Sequence, residues 1–169
     1  MTGADHVAPS WVAGPHVVLR WHNDCPPCAI ARNVRAEVWP EAMVSPLPLV
    51  GAGIIGLVAR RGEVVGLFDI ATWLGLPMSR GCKVVCLHMP HGAAALWTTH
   101  SPELVPLDER AVPAAFDMPL RLRPFMQGAV SSPSGPIWRL DLCAWFDAVA
   151  SGASISEKTG DAHSVGPAI

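Results

Sequence analysis

The chain has 169 residues, of which half are hydrophobic and 15% are charged. This length and apolar content allow a substantial buried core, so disorder is excluded as the main state of the chain. The formal net charge is −2 with histidine neutral, which provides no strong positive field for nucleic acid or anionic lipid. We therefore expect no nucleic-acid partner and no direct membrane insertion.

The two ends of the chain are predicted to be tails around one body. Residues 1–15 lack hydrophobic periodicity, and residues 151–169 are rich in small polar residues, which is typical of flexible termini. No basic region followed by an apolar run opens the chain, so we expect no signal peptide, and the odd number of cysteines favours a reducing cytoplasm. The body, residues 16–150, is predicted to hold two β subdomains.

Short strands separated by Pro and Gly dominate the body. The predicted strands are His16–Trp21, Cys28–Ala31, Val34–Val38, Ile54–Ala59, Val64–Asp69, Lys83–His88, Ala93–Thr98 and Ile137–Leu142. The long uncharged stretch Ala42–Ala59 contains prolines and glycines, so it is predicted to be a loop leading into a strand rather than a membrane span. These features predict an all-β fold with short helices, of the small-barrel or sandwich type.

Two segments of the body resemble each other at an offset of 72 residues. Asp69–Leu74 aligns with Asp141–Phe146, and Gly56 aligns with Gly128 at the same offset. In both segments a strand ends at an Asp, which is a favoured helix N-cap, and a Trp follows four residues later. We interpret the match as an internal repeat of two modules, each closed by a short helix. The alternative is that a strand followed by a capped helix arose twice independently.

The segment Gly51–Gly56 has the glycine spacing of a dinucleotide-binding loop. That chemistry requires a preceding central strand and a following helix, but Pro48 precedes the segment. Only Leu57–Arg61 separate Gly56 from Gly62, which is too few residues for the helical crossover of about 10–12 residues that a dinucleotide-binding unit needs. Motifs for serine hydrolases, phosphate-binding loops and zinc proteases do not occur in the sequence. We therefore expect a protein that is not an enzyme and has no cofactor.

Cysteine and histidine residues support an alternative hypothesis. Cys25 and Cys28 have the spacing of a redox or zinc pair, and Cys82, Cys86 and His88 fall on one face of a predicted strand. No helix that could activate a thiol is predicted after Cys28. Buried or incidental thiols explain the same pattern. The main prediction is therefore no resident metal, and a metal- or redox-responsive module is the alternative.

Arg60, Arg61, Gly62 and Glu63 have the length of a hairpin connection between two predicted strands. Gly62 would permit a tight turn. Arginine on a rigid hairpin binds carboxylates in a bidentate manner and is enriched at protein interfaces. The segment is either a docking site or a simple polar turn, and the residues themselves favour neither.

The sequence around this turn resembles the CheW-like chemotaxis coupling domain. The resemblance is carried by Gly56, by Arg61-Gly62-Glu63, by Asp69-Ile70 and by Leu74-Gly75-Leu76, with weaker matches near Gly128 and Asp141. It extends over about residues 14–150. It implies a fold of two five-stranded SH3-like β-barrels around a shared core, which agrees with the two modules inferred from the repeat.

The resemblance implies a non-catalytic adaptor. Such a protein would couple the cytoplasmic tips of chemoreceptors to the regulatory domain of a chemotaxis histidine kinase. The residues predicted to bind protein are Arg60, Arg61, Gly62 and Glu63, and those predicted to support the fold are Gly56, Asp69, Gly128 and Asp141. Ala59 and Arg60 depart from the Asn and the apolar residue that are usual in the family, so we expect a diverged member.

Overall fold

The computed structural model describes residues 11–40, 42–47, 53–78, 83–90, 92–108 and 119–151. The strands are β1 (Gly14–Leu19), β2 (Cys28–Ala29), β3 (Arg35–Val38), β4 (Met43–Pro46), β5 (Ile54–Arg60), β6 (Glu63–Phe68), β7 (Lys83–Met89), β8 (Gly92–Thr98), β9 (Glu103–Leu107), β10 (Met126–Ser132) and β11 (Gly135–Leu140). The helices are α1 (Ile70–Trp73), a 3-10 helix (Leu120–Phe125) and α2 (Leu142–Ala150). None of the described helices is long and apolar enough to cross a membrane.

The strands form two mixed sheets. A five-stranded sheet has the order β10-β11-β2-β1-β9, and a six-stranded sheet has the order β3-β7-β8-β6-β5-β4. Neighbouring strands are antiparallel except for β11 with β2 and β6 with β8. The predicted all-β class with short helices is confirmed. Two β units are present, as expected, but their described strands do not close into five-stranded barrels. The described strands form sheets of five and six members, and the edge strands of each sheet are not joined by backbone hydrogen bonds.

The five-stranded sheet joins the beginning and the end of the domain. It combines β1 and β2 with β9, β10 and β11, whereas the six-stranded sheet contains β3 to β8. The two modules are therefore not successive halves of the chain, since the C-terminal module takes β2 from the N-terminal region as its parallel neighbour. This arrangement ties distant parts of the sequence into one body.

The internal repeat is present in three dimensions. β5, β6 and α1 begin 72 residues before β10, β11 and α2, respectively. The hairpin of each unit has a register irregularity near its glycine, Gly56 or Gly128. Both predicted N-caps are present: the Asp69 side chain accepts from the Ala71 N–H, and the Asp141 side chain accepts from the Ala144 N–H. Each cap satisfies a helical N–H that has no partner within the helix.

The main core lies between the two sheets and the helices. Trp73 and Trp145, which are equivalent in the repeat, meet there with perpendicular rings at a centroid distance of 5.7 Å. A second buried cluster covers the other face of the six-stranded sheet and comprises Trp39, Val58, Val65, Leu67, Val84, Cys86 and Ala95. Residues of β7 alternate between the two clusters, as the period of a strand requires.

Two edge strands differ from the sequence prediction. β4 lies in the part of Ala42–Ala59 that was expected to be a loop, and β9 was not predicted. Both contain proline, whose missing N–H is tolerated at a sheet edge. β1 begins at Gly14, inside the expected N-terminal tail, and α2 continues four residues beyond Phe146. Residues 1–10 and 152–169 of the expected tails lie outside the described residues.

Candidate functional site

The hairpin between β5 and β6 presents its tip to solvent. Arg60 and Glu63 are the last paired residues, and Arg61 and Gly62 have φ angles of 51° and 85°. Positive φ at both central residues is the geometry of a type I′ turn, which matches the twist of the flanking strands. Arg61, Gly62 and Glu63 are exposed. The tip therefore holds the Arg61 side chain outward on a short, well-defined turn.

Arg60, by contrast, lies against the six-stranded sheet. Its Nη1 atom donates to Glu37 Oε1 and to the Val38 carbonyl oxygen, the latter at 3.4 Å. Its guanidinium lies 5.8 Å from the centroid of the Trp39 ring. β3 and β5 are separated by three strands in the sheet order, so these contacts require the sheet to curl. Arg60 thus links two parts of the fold, whereas Arg61 points away from it.

The charge of Glu37 is stabilised by this contact. Partial burial acts to raise the pKa of the Glu37 carboxyl, but the positive charge of Arg60, helped by Trp39 and His88, outweighs it and lowers the pKa. Glu37 is therefore ionised at neutral pH. The pair of Arg60 and Glu37 is an ion pair at the rim of the curled sheet.

Glu63, Cys86 and His88 come together beside this ion pair. Their potential ligand atoms all lie within 4.8 Å of one another, and His88 Nε2 lies 3.8 Å from Glu37 Oε2. Cys86 and His88 share one face of β7, as the strand period predicted, while Cys82 of the predicted set lies outside the described residues. The cluster unites a carboxylate, a thiol and an imidazole at one end of the second core cluster.

Sequence reasoning missed the approach of Glu63 to this cluster because β6 and β7 are not neighbours. β8 lies between them, and its residues Ala93 and Ala95 pair with His88 and Cys86 on β7. Alanine side chains leave room for longer side chains from the strands on either side. The alanine-rich sequence of β8 was the signal that could have indicated such an approach.

The Cys86 thiol is protonated at neutral pH in this arrangement. Burial, together with the negative charges of Glu63 and Glu37, raises the pKa of the Cys86 thiol to about 11, although Arg35 and Arg60 act in the opposite direction. A thiol in this state is a weak nucleophile. A cation that binds the Cys86 sulfur at neutral pH therefore displaces its proton.

The Cys25 and Cys28 pair lacks the features of an activated redox pair. Both are free cysteines, and Cys28 is fully buried, where its Sγ accepts a hydrogen bond from Trp21 Nε1 at 3.0 Å. Burial raises the pKa of the Cys28 thiol to about 12, although the Trp21 hydrogen bond acts to lower it. Burial also raises the pKa of the Cys25 thiol, and the Asp24 charge adds to the effect. A redox pair requires a lowered thiol pKa, so the redox half of the alternative hypothesis has no support at these two residues.

In the glycine-rich segment Gly51–Gly56, the two described glycines, Gly53 and Gly56, allow close packing against α1 and β4. A Cβ at Gly53 would lie 2.8 Å from the Trp73 Cβ, and a Cβ at Gly56 would lie 2.6 Å from the Ser45 carbonyl oxygen. These close approaches explain why both positions are glycine. Gly51 and Ala52 lie outside the described residues. From Gly53 the chain enters antiparallel β5 rather than a crossover helix.

Comparison with known proteins places the fold. No protein-family model matches the sequence, and no curated protein matches it. The crystal structure of the scaffolding protein TtCheW from Thermoanaerobacter tengcongensis superposes with a TM-score of 0.61 at 17% sequence identity, covering 76% of this chain and 89% of that chain. The likeness at this identity concerns the fold, and it agrees with the motifs around the hairpin. The chain therefore has a diverged CheW-like fold.

Proposed function

We propose that this protein is a non-catalytic adaptor of chemotaxis-type signalling, which couples the cytoplasmic tips of chemoreceptors to the regulatory domain of a histidine kinase. The observation that carries the proposal is the CheW-like fold, which is shared with a protein described as a scaffold. On this proposal the protein acts in the cytoplasm, and docking itself needs no cofactor. It changes kinase activity by holding partners in a particular geometry rather than by making or breaking bonds.

Arg61 is the proposed contact with the kinase. It is exposed on a two-residue turn whose strands are hydrogen-bonded to their neighbours on both sides. Because the turn already fixes the backbone, binding orders only the arginine side chain, and its guanidinium can bind a carboxylate of the partner through two hydrogen bonds. Glu63 adds an exposed carboxylate beside it, and Gly62 permits the turn. Arg60 supports the base of the hairpin through Glu37.

Binding of the purified chain to the kinase regulatory domain from the same organism tests the proposal. We expect the unmodified chain to bind in isothermal titration calorimetry. Arg61→Glu is expected to weaken binding by about tenfold or more, because it replaces an attractive charge with a repulsive one. Arg32→Glu is the matched control, since Arg32 is exposed in the turn between β2 and β3.

The outcomes separate the adaptor from its contact residue. Absence of binding by the unmodified chain would contradict the proposed adaptor function. Binding that is equal for the unmodified chain and Arg61→Glu would remove Arg61 from the interface and leave the adaptor function standing. An equal loss in Arg61→Glu and Arg32→Glu would indicate general electrostatic attraction rather than a specific contact.

Ternary assembly tests the receptor side. We expect a chemoreceptor cytoplasmic fragment, the kinase and this chain to co-elute as one complex in size-exclusion chromatography, and kinase autophosphorylation to change when the chain is added. If receptor and kinase form the same complex with the same activity in its absence, the chain does not couple them.

A further inference from the structure

We propose that Glu63, Cys86 and His88 form a binding site for a divalent transition-metal ion such as zinc, at the end of the second core cluster. The site shares Glu63 with the proposed docking tip, but its three ligands come together in the folded chain whether or not a partner docks. It would take one carboxylate oxygen, one thiolate sulfur and one imidazole nitrogen from the protein, and it would leave a fourth position for water or for a partner's side chain.

The distances are close to those that a metal requires. The three ligand atoms lie within 4.8 Å of one another, whereas ligands around a tetrahedral zinc ion are separated by about 3–4 Å, given bond lengths of about 2.0–2.3 Å. Cys86 and His88 are held on β7, and the exposed Glu63 side chain can rotate to shorten its distances to them. Two of the three ligands are thus already positioned by the strand.

A buried nitrogen without a hydrogen bond points to a missing partner. His88 Nε2 is buried and makes no hydrogen bond with any residue that the structure describes, and the nearest carboxylate oxygen, from Glu37, is 3.8 Å away. Leaving such an atom without a partner costs free energy, typically about 1–3 kcal/mol. Metal coordination by Nε2 would remove this cost.

The ligand types determine which ion is expected. A thiolate with an imidazole and a carboxylate suits Zn²⁺ or Co²⁺, whereas Mg²⁺ and Ca²⁺ prefer oxygen ligands. On binding, the Cys86 S–H bond breaks, a metal–sulfur bond forms, and the proton goes to solvent. Glu37, which is held by Arg60, lies 3.8 Å from the same His88 Nε2 atom and adds negative charge beside the bound cation.

Cobalt titration of the full-length reduced chain tests the site directly. A Co²⁺ ion bound to a thiolate produces a charge-transfer absorption in the near ultraviolet, which carboxylates and imidazoles alone do not produce. We expect this band to saturate at one Co²⁺ per chain and to disappear when Zn²⁺ is added. Absence of the band in the unmodified chain would overturn the proposal.

Matched variants locate the ion. Cys86→Ser is expected to abolish the band, whereas Cys143→Ser is expected to keep it, because Cys143 is a half-buried free cysteine on α2 outside the cluster. A band that persists in Cys86→Ser would place the ion at other thiols and would overturn the assignment.

Two histidine variants, His88→Gln and its control His100→Gln, test the site even if Cys86→Ser does not fold. His88→Gln is expected to weaken Co²⁺ binding by about tenfold or more, and its partly exposed position makes it tolerant of substitution. His100→Gln, on an exposed histidine after β8, is expected to bind as the unmodified chain does. Equal Co²⁺ affinity of His88→Gln and the unmodified chain would exclude His88 as a ligand and contradict the site as proposed.

Discussion

The two repeated units, β5–β6–α1 and β10–β11–α2, have the same skeleton but different tips. The turn of the first unit is Arg61-Gly62, flanked by Arg60 and Glu63. The second unit has Pro133-Ser134 at the same places, flanked by Ser132 and Gly135, and the Ser132 hydroxyl donates to the Gly135 carbonyl oxygen at 2.6 Å. The second tip is therefore closed by a local hydrogen bond, and the first carries charges. The proposed docking residue Arg61 and the proposed ligand Glu63 therefore lie where the two units differ, whereas the ligands Cys86 and His88 lie on β7, outside both units.

The positions at which the two units have equivalent residues are those that stabilise the fold. Each unit keeps a glycine at the irregular part of its hairpin, an Asp at the helix N-cap and a Trp four residues later. The two tryptophans meet in the main core. We therefore expect substitutions at shared positions to change stability and substitutions at the first tip to change binding.

Removing a shared tryptophan is expected to have the largest effect. The Trp145 ring is fully buried and contacts the rings of Trp73, Phe68 and Phe146. Trp145→Ala is expected to lower the free energy of unfolding by about 3–5 kcal/mol, because it leaves a large cavity between the two units. Urea denaturation followed by circular dichroism measures the change.

A large exposed residue provides the control for this substitution. Leu104, on edge strand β9, is 73% exposed, so Leu104→Ala is expected to change the free energy of unfolding by less than about 0.5 kcal/mol. A loss below about 1 kcal/mol for Trp145→Ala would mean that the contact between the two tryptophans does not hold the units together.

The two helix caps are expected to differ in cost. The Asp69 side chain is fully buried and accepts from both the Ala71 N–H and the Thr72 hydroxyl, at 3.0 and 2.6 Å. Its loss would leave two donors unsatisfied, so Asp69→Ala is expected to cost about 2 kcal/mol. Asp141→Ala is expected to cost about 1 kcal/mol, because the nine-residue helix α2 has more of its own hydrogen bonds than the four-residue α1.

The order of the two cap variants is the discriminating result. Urea denaturation of Asp69→Ala and Asp141→Ala gives the comparison, and Asp69→Asn, which keeps a side-chain oxygen acceptor, is expected to lose less stability than Asp69→Ala. A greater loss in Asp141→Ala than in Asp69→Ala would show that the longer helix depends more on its cap.

Local patterns predicted most of the skeleton from sequence. Alternating residues identified the inner strands of both hairpins, and the Asp residues identified the starts of α1 and α2, because strand period and N-capping act within a few residues. The edge strands β4 and β9 were missed since their prolines argue against an inner strand. Proline is disfavoured only in the central strands of a sheet, so a proline in the sequence does not argue against an edge strand.

The candidate sites were less predictable because they depend on contacts across strands. Arg60 and Arg61 are adjacent in sequence and had the same prediction, yet Arg60 contacts Glu37 on a strand that is separated from its own by three others in the sheet. Glu63 reaches Cys86 and His88 across the small residues of β8. Curl of the sheet and the size of intervening side chains determine both contacts, and neither follows from the spacing of residues along the chain.

Each unit has one parallel neighbouring strand, β8 for the first unit and β2 for the second. A substitution in β2 is expected to have a smaller effect on stability than those above. β2, beside the second unit, contains the buried Cys28, whereas β8, beside the first, contains a run of alanines. Cys28→Ser keeps an acceptor for the Trp21 N–H and removes the titrating thiol. At pH 7 it is expected to change the free energy of unfolding by about 1 kcal/mol or less.

The effect of Cys28 on stability is expected to depend on pH above 9. The pKa of the thiol is raised from an ordinary value of 9.0 to about 12 in the folded chain, so the unfolded state alone releases this proton between these values. The contribution of Cys28 is therefore complete below pH 9 and is lost as the pH rises, by about 1.4 kcal/mol per pH unit. Urea denaturation at pH 8 and pH 10 should show a smaller loss in Cys28→Ser than in the unmodified chain, because the variant lacks this proton. Equal losses would mean that solvent reaches the Cys28 thiol in the folded state, and that β2 is not closely packed against the second unit at this position.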